Sequence, residues 1–229
     1  MYIDYTYYLV LISAVVCGIA SMKLKGTFRK YDKVGNYNGY TAQDVAQTIL
    51  NSAGIYDVTI ERVRGNLSDH YSPKEKVLRL SDSVYNNTSV AAIGVAAHEC
   101  GHAIQHQEDY APLKLRSCSV PLATIGSNLS WPIIVLGLIL GSTGLAKVGV
   151  YLFAFVVLFQ LITLPVEFDA SKRAIMILEN NSILYGEEIT GAEKVLKAAA
   201  LTYVAALISA IIQLLRLVII TQSRSNRRD

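Results

Sequence analysis

Two histidines four residues apart enclose a glutamate in the run His98-Glu99-Cys100-Gly101-His102, an H-E-x-x-H pattern. Residues at this spacing on an α-helix share one face about a turn apart, so two imidazoles can bind one ion. Zinc takes neutral imidazole nitrogen readily and, in hydrolases, keeps one coordination position open for water. Glu99 falls on the flank of that face, where its carboxylate can take a proton from such a water. The competing account is a chance match in which each histidine is a packed core residue. The surroundings favour the metal, because Val90 to Ala97 leads into the pattern and Ala103, Ile104 and Gln105 continue it without proline. Ser89 to Gln107 therefore reads as one helix, with enough small residues to lie close against its neighbours. Cys100 lies two positions from either histidine, rotated off their face, and reads as a packing residue.

A catalytic zinc needs a third protein ligand. His106, Glu108 and Asp109 follow soon after, but a straight helix cannot wrap a third side chain around the same ion. His106 shares a face with His102 and is placed to hydrogen-bond a neighbour or to lie near the site. The metzincin extension, with its histidine beyond a glycine turn, is absent. Glu167 remains. Two apolar stretches separate it from the motif, and a hairpin of two membrane spans would return it to the face that the chain left. The alternative for Glu167 is capping, since Pro165 and a following acid also mark a helix start.

The elements that must position these groups are largely membrane-spanning. The 229-residue chain is 52% hydrophobic, room for one modest domain and several spans. Candidate spans are Tyr5 to Met22, Val120 to Gly141, Val148 to Val166 and Ala198 to Ile220, each near the ~20 residues that cross a bilayer. The second carries Pro121 and Pro132, so a kinked or partly interfacial helix is expected there. The first has no basic residue before its apolar run and no small-residue cleavage site after it, and reads as a retained anchor. Three cysteines, Cys17, Cys100 and Cys118, form no disulfide framework and fit a reduced compartment.

The net charge of +3 matters through its placement. Lys23, Lys25, Arg29, Lys30 and Lys33 crowd the exit from the first span, which puts the motif on the cytoplasmic side by the positive-inside rule. Lys114, Arg116, Lys172, Arg173, Lys194 and Lys197 fall on that side too, whereas Arg224, Arg227 and Arg228 would be external if the fourth stretch crosses fully. The basic patch suits anionic lipid headgroups, and nothing resembles a nucleic-acid module. Sparse polar residues in the spans, such as Asn128, Gln160, Gln213 and Arg216, argue against a transporter. An intramembrane protease is disfavoured because the apolar run before His98 is only about eight residues.

Between the first span and the motif, Gly35 to Tyr40 reads as a loop and Thr41 caps a helix that carries Val45, Ile49 and Leu50 and stops near Gly54. Asp57 to Val63 alternates like a strand, Arg64 to Pro73 is rich in turn residues, and Lys76 to Leu80 is a second strand with Leu78 and Leu80 on one face. If Lys76 to Leu80 is an edge strand beside the motif helix, it can hold a peptide substrate by main-chain pairing. Asp69, His70 and Tyr71 stand before it, able to orient a ligand or to form an ordinary polar turn.

The run from His98 to His106, its lead-in Ser89 to Ala97, the stretch Asp69-His-Tyr71 and Glu167-Phe-Asp-Ala-Ser171 together resemble the YugP-type neutral zinc metallopeptidases of bacterial membranes, over nearly the whole chain. The resemblance implies one zinc per chain held by His98, His102 and Glu167, with Glu99 as catalytic base. Related HtpX-type membrane proteases place an aspartate four residues after the glutamate ligand to steady a zinc histidine. Here Ser171 stands at that position and Asp169 two residues earlier. A hydroxyl can also accept an imidazole N–H, so Ser171, Asp169, His106 and His70 are candidate supports or substrate contacts.

The expected fold is mainly α, multi-pass membrane helices with a small α+β zincin-like cytoplasmic region of motif helix plus short β-hairpin. Its expected parts are an anchor (1–24), the zincin-like region (25–118), a transmembrane hairpin (119–166), a third-ligand region (167–197) and a C-terminal membrane helix with basic tail (198–229). The expected function is a cell-membrane zinc metalloendopeptidase that hydrolyses peptide bonds of a peptide or protein substrate at the bilayer surface. The rival is an inactive zinc-binding scaffold in the same lipid bilayer.

Overall fold

The structure is a computed structural model describing residues 6–225. Tyr5 of the expected first span, Arg227 and Arg228 lie outside that range, as does the side chain of Arg224. The chain is mainly helical. The described residues form six helices, α1 (Thr6–Tyr31), α2 (Ala42–Ser52), α3 (Val90–Gln107), α4 (Ala111–Ile139), α5 (Thr143–Asn180) and α6 (Glu187–Ser225). Three short strands are β1 (Thr59–Val63), β2 (His70–Ser72) and β3 (Val77–Ser81). Four of the helices, α1, α4, α5 and α6, are long and apolar enough to cross a membrane.

Two compact units divide the described residues. One comprises the chain up to Ala20, Leu115–Leu164 and the chain from Thr202; the other comprises Ser21–Lys114 and Pro165–Leu201. In the first unit, α4 and α5 form a hairpin around Gly141, which takes a left-handed φ of 64°. Gly126 lets the two helices close up, since a Cβ there would come within 2.6 Å of the Leu152 carbonyl oxygen. Helix α4 is one continuous helix that contains Pro121 and Pro132.

The second unit is built on an apolar core of α2, α3, β3 and the neighbouring stretches of α5 and α6. Helix α2 starts at a capping box, in which Thr41 accepts from the Asp44 N–H while the Asp44 carboxylate accepts from the Thr41 N–H. The spacing that placed Val45, Ile49 and Leu50 on one stripe buries all three. Helix α3 is capped by Ser89, whose hydroxyl accepts from the Ala92 N–H at 3.1 Å. The loop after α1 clamps this start: the buried Asn36 donates to the carbonyls of Tyr40 and Thr88, and the Val90 N–H donates to the Val34 carbonyl at 2.8 Å.

The sheet corrects the expected hairpin. Its order is β1-β3-β2, with β1 parallel to β3 (Thr59↔Val77) and β2 antiparallel to it (Tyr71↔Leu78). The stretch His70–Ser72, expected as turn, is therefore a strand, and the turn that follows it closes with Lys76 at a left-handed φ of 53°. Strand β3 is consequently central. Its main-chain groups are committed on both sides, so Lys76 to Leu80 cannot capture a peptide by strand addition as the edge reading required. The expected facing holds, with Leu78 and Leu80 fully buried and Arg79 turned to Glu61 and Glu75.

Candidate metal centre

All the residues of the centre belong to the second unit. Helix α3 places His98 and His102 on one face, their rings 4.8 Å apart between centroids and nearly perpendicular. The neighbouring turn of α5 supplies Glu167. What brings the helices together is Gly101, between the two histidines: a Cβ there would lie 2.6 Å from the Ala170 carbonyl oxygen, so only glycine permits this backbone approach. Glu167 stands one turn before Ala170 on the same helix and so meets the imidazoles. It lies inside α5, with Pro165 also inside, so it does not mark a helix start. The capping alternative is thereby excluded.

One Glu167 carboxylate oxygen is 3.2 Å from His98 Nε2 and 3.7 Å from His102 Nε2. The three side chains are buried or nearly so, and their donor atoms all fall within 4.8 Å of one another. Tetrahedral bonds of about 2.0–2.2 Å separate ligand atoms by about 3.3–3.6 Å, close to the two distances between the carboxylate oxygen and the imidazole nitrogens. Two imidazoles and a carboxylate are also a donor set that zinc accepts. The residues present fit that ion.

A chain of hydrogen bonds fixes each imidazole. Gln105, fully buried on α3, donates through Nε2 to the Val166 carbonyl at 2.9 Å and to Asp169 Oδ2 at 2.8 Å. Both partners can only accept, which turns Gln105 Oε1 toward His102 Nδ1 at 3.0 Å. An amide oxygen cannot donate, so Nδ1 carries the proton and Nε2 presents its lone pair to the centre. Asp169 is held in turn by Arg173 Nε at 2.5 Å, and Arg173 reaches Glu108 at 2.6 Å. Ser171 Oγ lies 3.1 Å from His98 Nδ1.

Electrostatics follow from this burial. Desolvation alone would lower the His102 pKa, but the Glu167 hydrogen bond and the charges of Glu99 and Glu167 outweigh it, and the net direction is upward. Glu99 is buried, 8% exposed. Burial raises the Asp69 carboxyl, opposed by hydrogen bonds from the Ser81 N–H and hydroxyl and reinforced by the charge of Glu99. Asp69 thus serves the start of β2 and stands within the electrostatic reach of the motif.

Compared with known proteins, residues 6–222 match the model of a family described as "Putative neutral zinc metallopeptidase". The chain belongs to this family. It is also 47% identical over 201 residues to "Putative membrane protease YugP" of Bacillus subtilis (strain 168), an alignment covering 88% of this chain and 89% of that protein. No solved structure matches. The family description names zinc and a peptidase, the relative's name a membrane and a protease, and the four apolar helices suit a membrane setting.

Within this member of the family, not every candidate joins the centre. His106 Nδ1 instead pairs with the Tyr71 hydroxyl at 2.8 Å, lining a separate polar hollow with Asp57 and Lys76, which are ion-paired to each other. His70 is exposed, its Nδ1 against the Ser68 carbonyl. Cys100 is buried with its thiol aimed at the Ala46 carbonyl, a packing contact to α2, and burial pushes its pKa up. Gln105 escaped the sequence reading. Its only signal there was a polar residue three positions after His102, at the start of the polar run from Gln105 to Asp109, a position that also suits a solvated helix end.

Proposed function

We propose that this chain is a membrane-bound zinc metalloendopeptidase whose ligands are His98, His102 and Glu167 and whose general base is Glu99, one zinc per chain, working at the cytoplasmic surface of the bilayer on a peptide or protein substrate. The observation that carries the reading is the arrival of Glu167 from α5 against the two α3 imidazoles. When bound, the metal supplies Lewis acidity for a peptide carbonyl and acidifies water.

The protein's own groups do the rest. Gln105 and Ser171 hold the two rings through Nδ1, leaving Nε2 of each for coordination. Glu99, on the flank of the ligand face, accepts a proton from the attacking water and returns it to the departing amine nitrogen. Its burial keeps bulk water from competing for that proton. The cytoplasmic placement rests on Lys23, Lys25, Arg29, Lys30 and Lys33 after α1's apolar run.

Glu99→Gln keeps the size of the side chain and removes the base. Elemental analysis of the purified variant is expected to show one zinc per chain, while hydrolysis of an unstructured reporter peptide falls by about 10²–10⁴-fold. Near-normal turnover would reject Glu99 as base. A wild-type chain that holds zinc yet cleaves nothing, with or without chelator, would point to the scaffold.

A further inference from the structure

A cavity of about 590 Å³ opens in the second unit among α1, α5 and α6, a size within the ~300–1,000 Å³ of typical ligand sites. Its walls are apolar: Phe168, Ile175 and Met176 from α5, Leu196 and Leu201 from α6. Phe168 and Met176 are each about half exposed. Three lysines, Lys23, Lys172 and Lys197, and one acid, Glu193, also line it. Lys197 is paired to Glu193 at 2.7 Å. Lys23 and Lys172 make no ion pair among the described residues.

Composition sets the level at which this cavity stands. The apolar run of α1 ends at Met22 and Lys23, that of α5 ends at Val166 and Glu167, and that of α6 begins after Lys197. Three helices thus change from polar to apolar at the cavity's own walls, the place where a membrane-crossing helix meets the headgroups. An apolar peptide segment would cover the walls but leave both lysines without counter-charge. A soluble phosphate would serve the lysines and leave the walls wet. A phospholipid with a net negative headgroup meets both demands.

We propose that this cavity binds one anionic phospholipid, its phosphate and headgroup against Lys23 and Lys172 and an acyl chain along Phe168, Ile175, Met176 and Leu196. Ser171 belongs to the same wall and also contacts His98, so the bound lipid lies one side chain from the metal centre. The inference does not depend on whether the centre cleaves peptides.

The test uses the full chain in phosphatidylcholine nanodiscs doped with a photoactivatable-acyl phospholipid, either phosphatidylglycerol or phosphatidylcholine, with crosslinks mapped by mass spectrometry. The phosphatidylglycerol probe is expected to label segments 168–176 and 193–201 at least about fivefold more than the phosphatidylcholine probe. The double variant Lys23→Gln/Lys172→Gln should bring its labelling down to the phosphatidylcholine level while zinc content stays unchanged, which separates a lost site from a misfolded chain. Equal labelling by the two wild-type probes, crosslinks outside these segments, unchanged labelling of the folded double variant, or competition by excess inorganic phosphate would each overturn the proposal.

Discussion

Gln105 shows how much a single amide can decide. Its Nε2 is engaged by two groups that only accept, so its oxygen faces His102 Nδ1, and the tautomer of that ring is set by a residue outside the His98, His102 and Glu167 triad. Replacing it by leucine leaves a buried imidazole N–H without an acceptor and frees the ring to turn. Gln105→Leu is expected to weaken zinc binding by about 10–100-fold, read by competition with a chromogenic chelator at fixed pH. An affinity equal to wild type would remove Gln105 from the support of His102. The HtpX-type resemblance placed that support at the position of Ser171, and the structure divides it: Ser171 holds His98, while Asp169 acts on His102 through Gln105.

At the scale of elements, the centre depends on how close α3 and α5 come. Gly101 fills a position that the H-E-x-x-H pattern leaves free, yet the Ala170 carbonyl occupies the space that any side chain would need. Gly101→Ala must push backbone against backbone, which no rotamer can relieve. The expected result is a loss of about 1–3 kcal/mol in stability, together with weakened zinc binding, because Glu167 rides on the displaced turn. Thermal denaturation and metal content of the same preparation would show both, and an unaltered protein would contradict the contact. Gly94 faces Ala192 more loosely, with a Cβ 3.3 Å from the alanine Cβ, so Gly94→Ala serves as the milder comparison.

For the molecule as a whole, the proposed ligation sets protons and metal in competition for the centre. In the metal-free chain the raised pKa of His102 means that its pairing with Glu167 stabilises fully below the ordinary imidazole value of about 6.5 and fades as pH rises through the raised value. Zinc demands the deprotonated ring, so its contribution runs the other way. The Tm difference between zinc-loaded and chelator-treated protein should widen as pH is raised from about 6 to about 8. A difference independent of pH would count against this ligand set. Sidedness can be read from Tyr56, which is exposed on the second unit. In a Cys118→Ser background, Tyr56→Cys is expected to resist a membrane-impermeant maleimide in intact cells and to react after permeabilisation; reaction in intact cells would place the centre outside.

Local patterns were enough to read much of this protein, because they act through nearest neighbours along the chain. The H-E-x-x-H helix, the α2 capping box and the four apolar helices all follow from spacing, capping chemistry and hydropathy. Glu167 was legible too, since the order of spans limits where an acid can return. The strand order was not: β3 is central because residues 70–72 fold back on it, and pairing between distant segments leaves no mark in either one alone. Nor could spacing reveal that Gln105, rather than His106 or His70, supports the centre. Which polar group meets which ring is set by the approach of α3 to α5 through Gly101, a contact between residues 69 positions apart that exists only once the helices have packed.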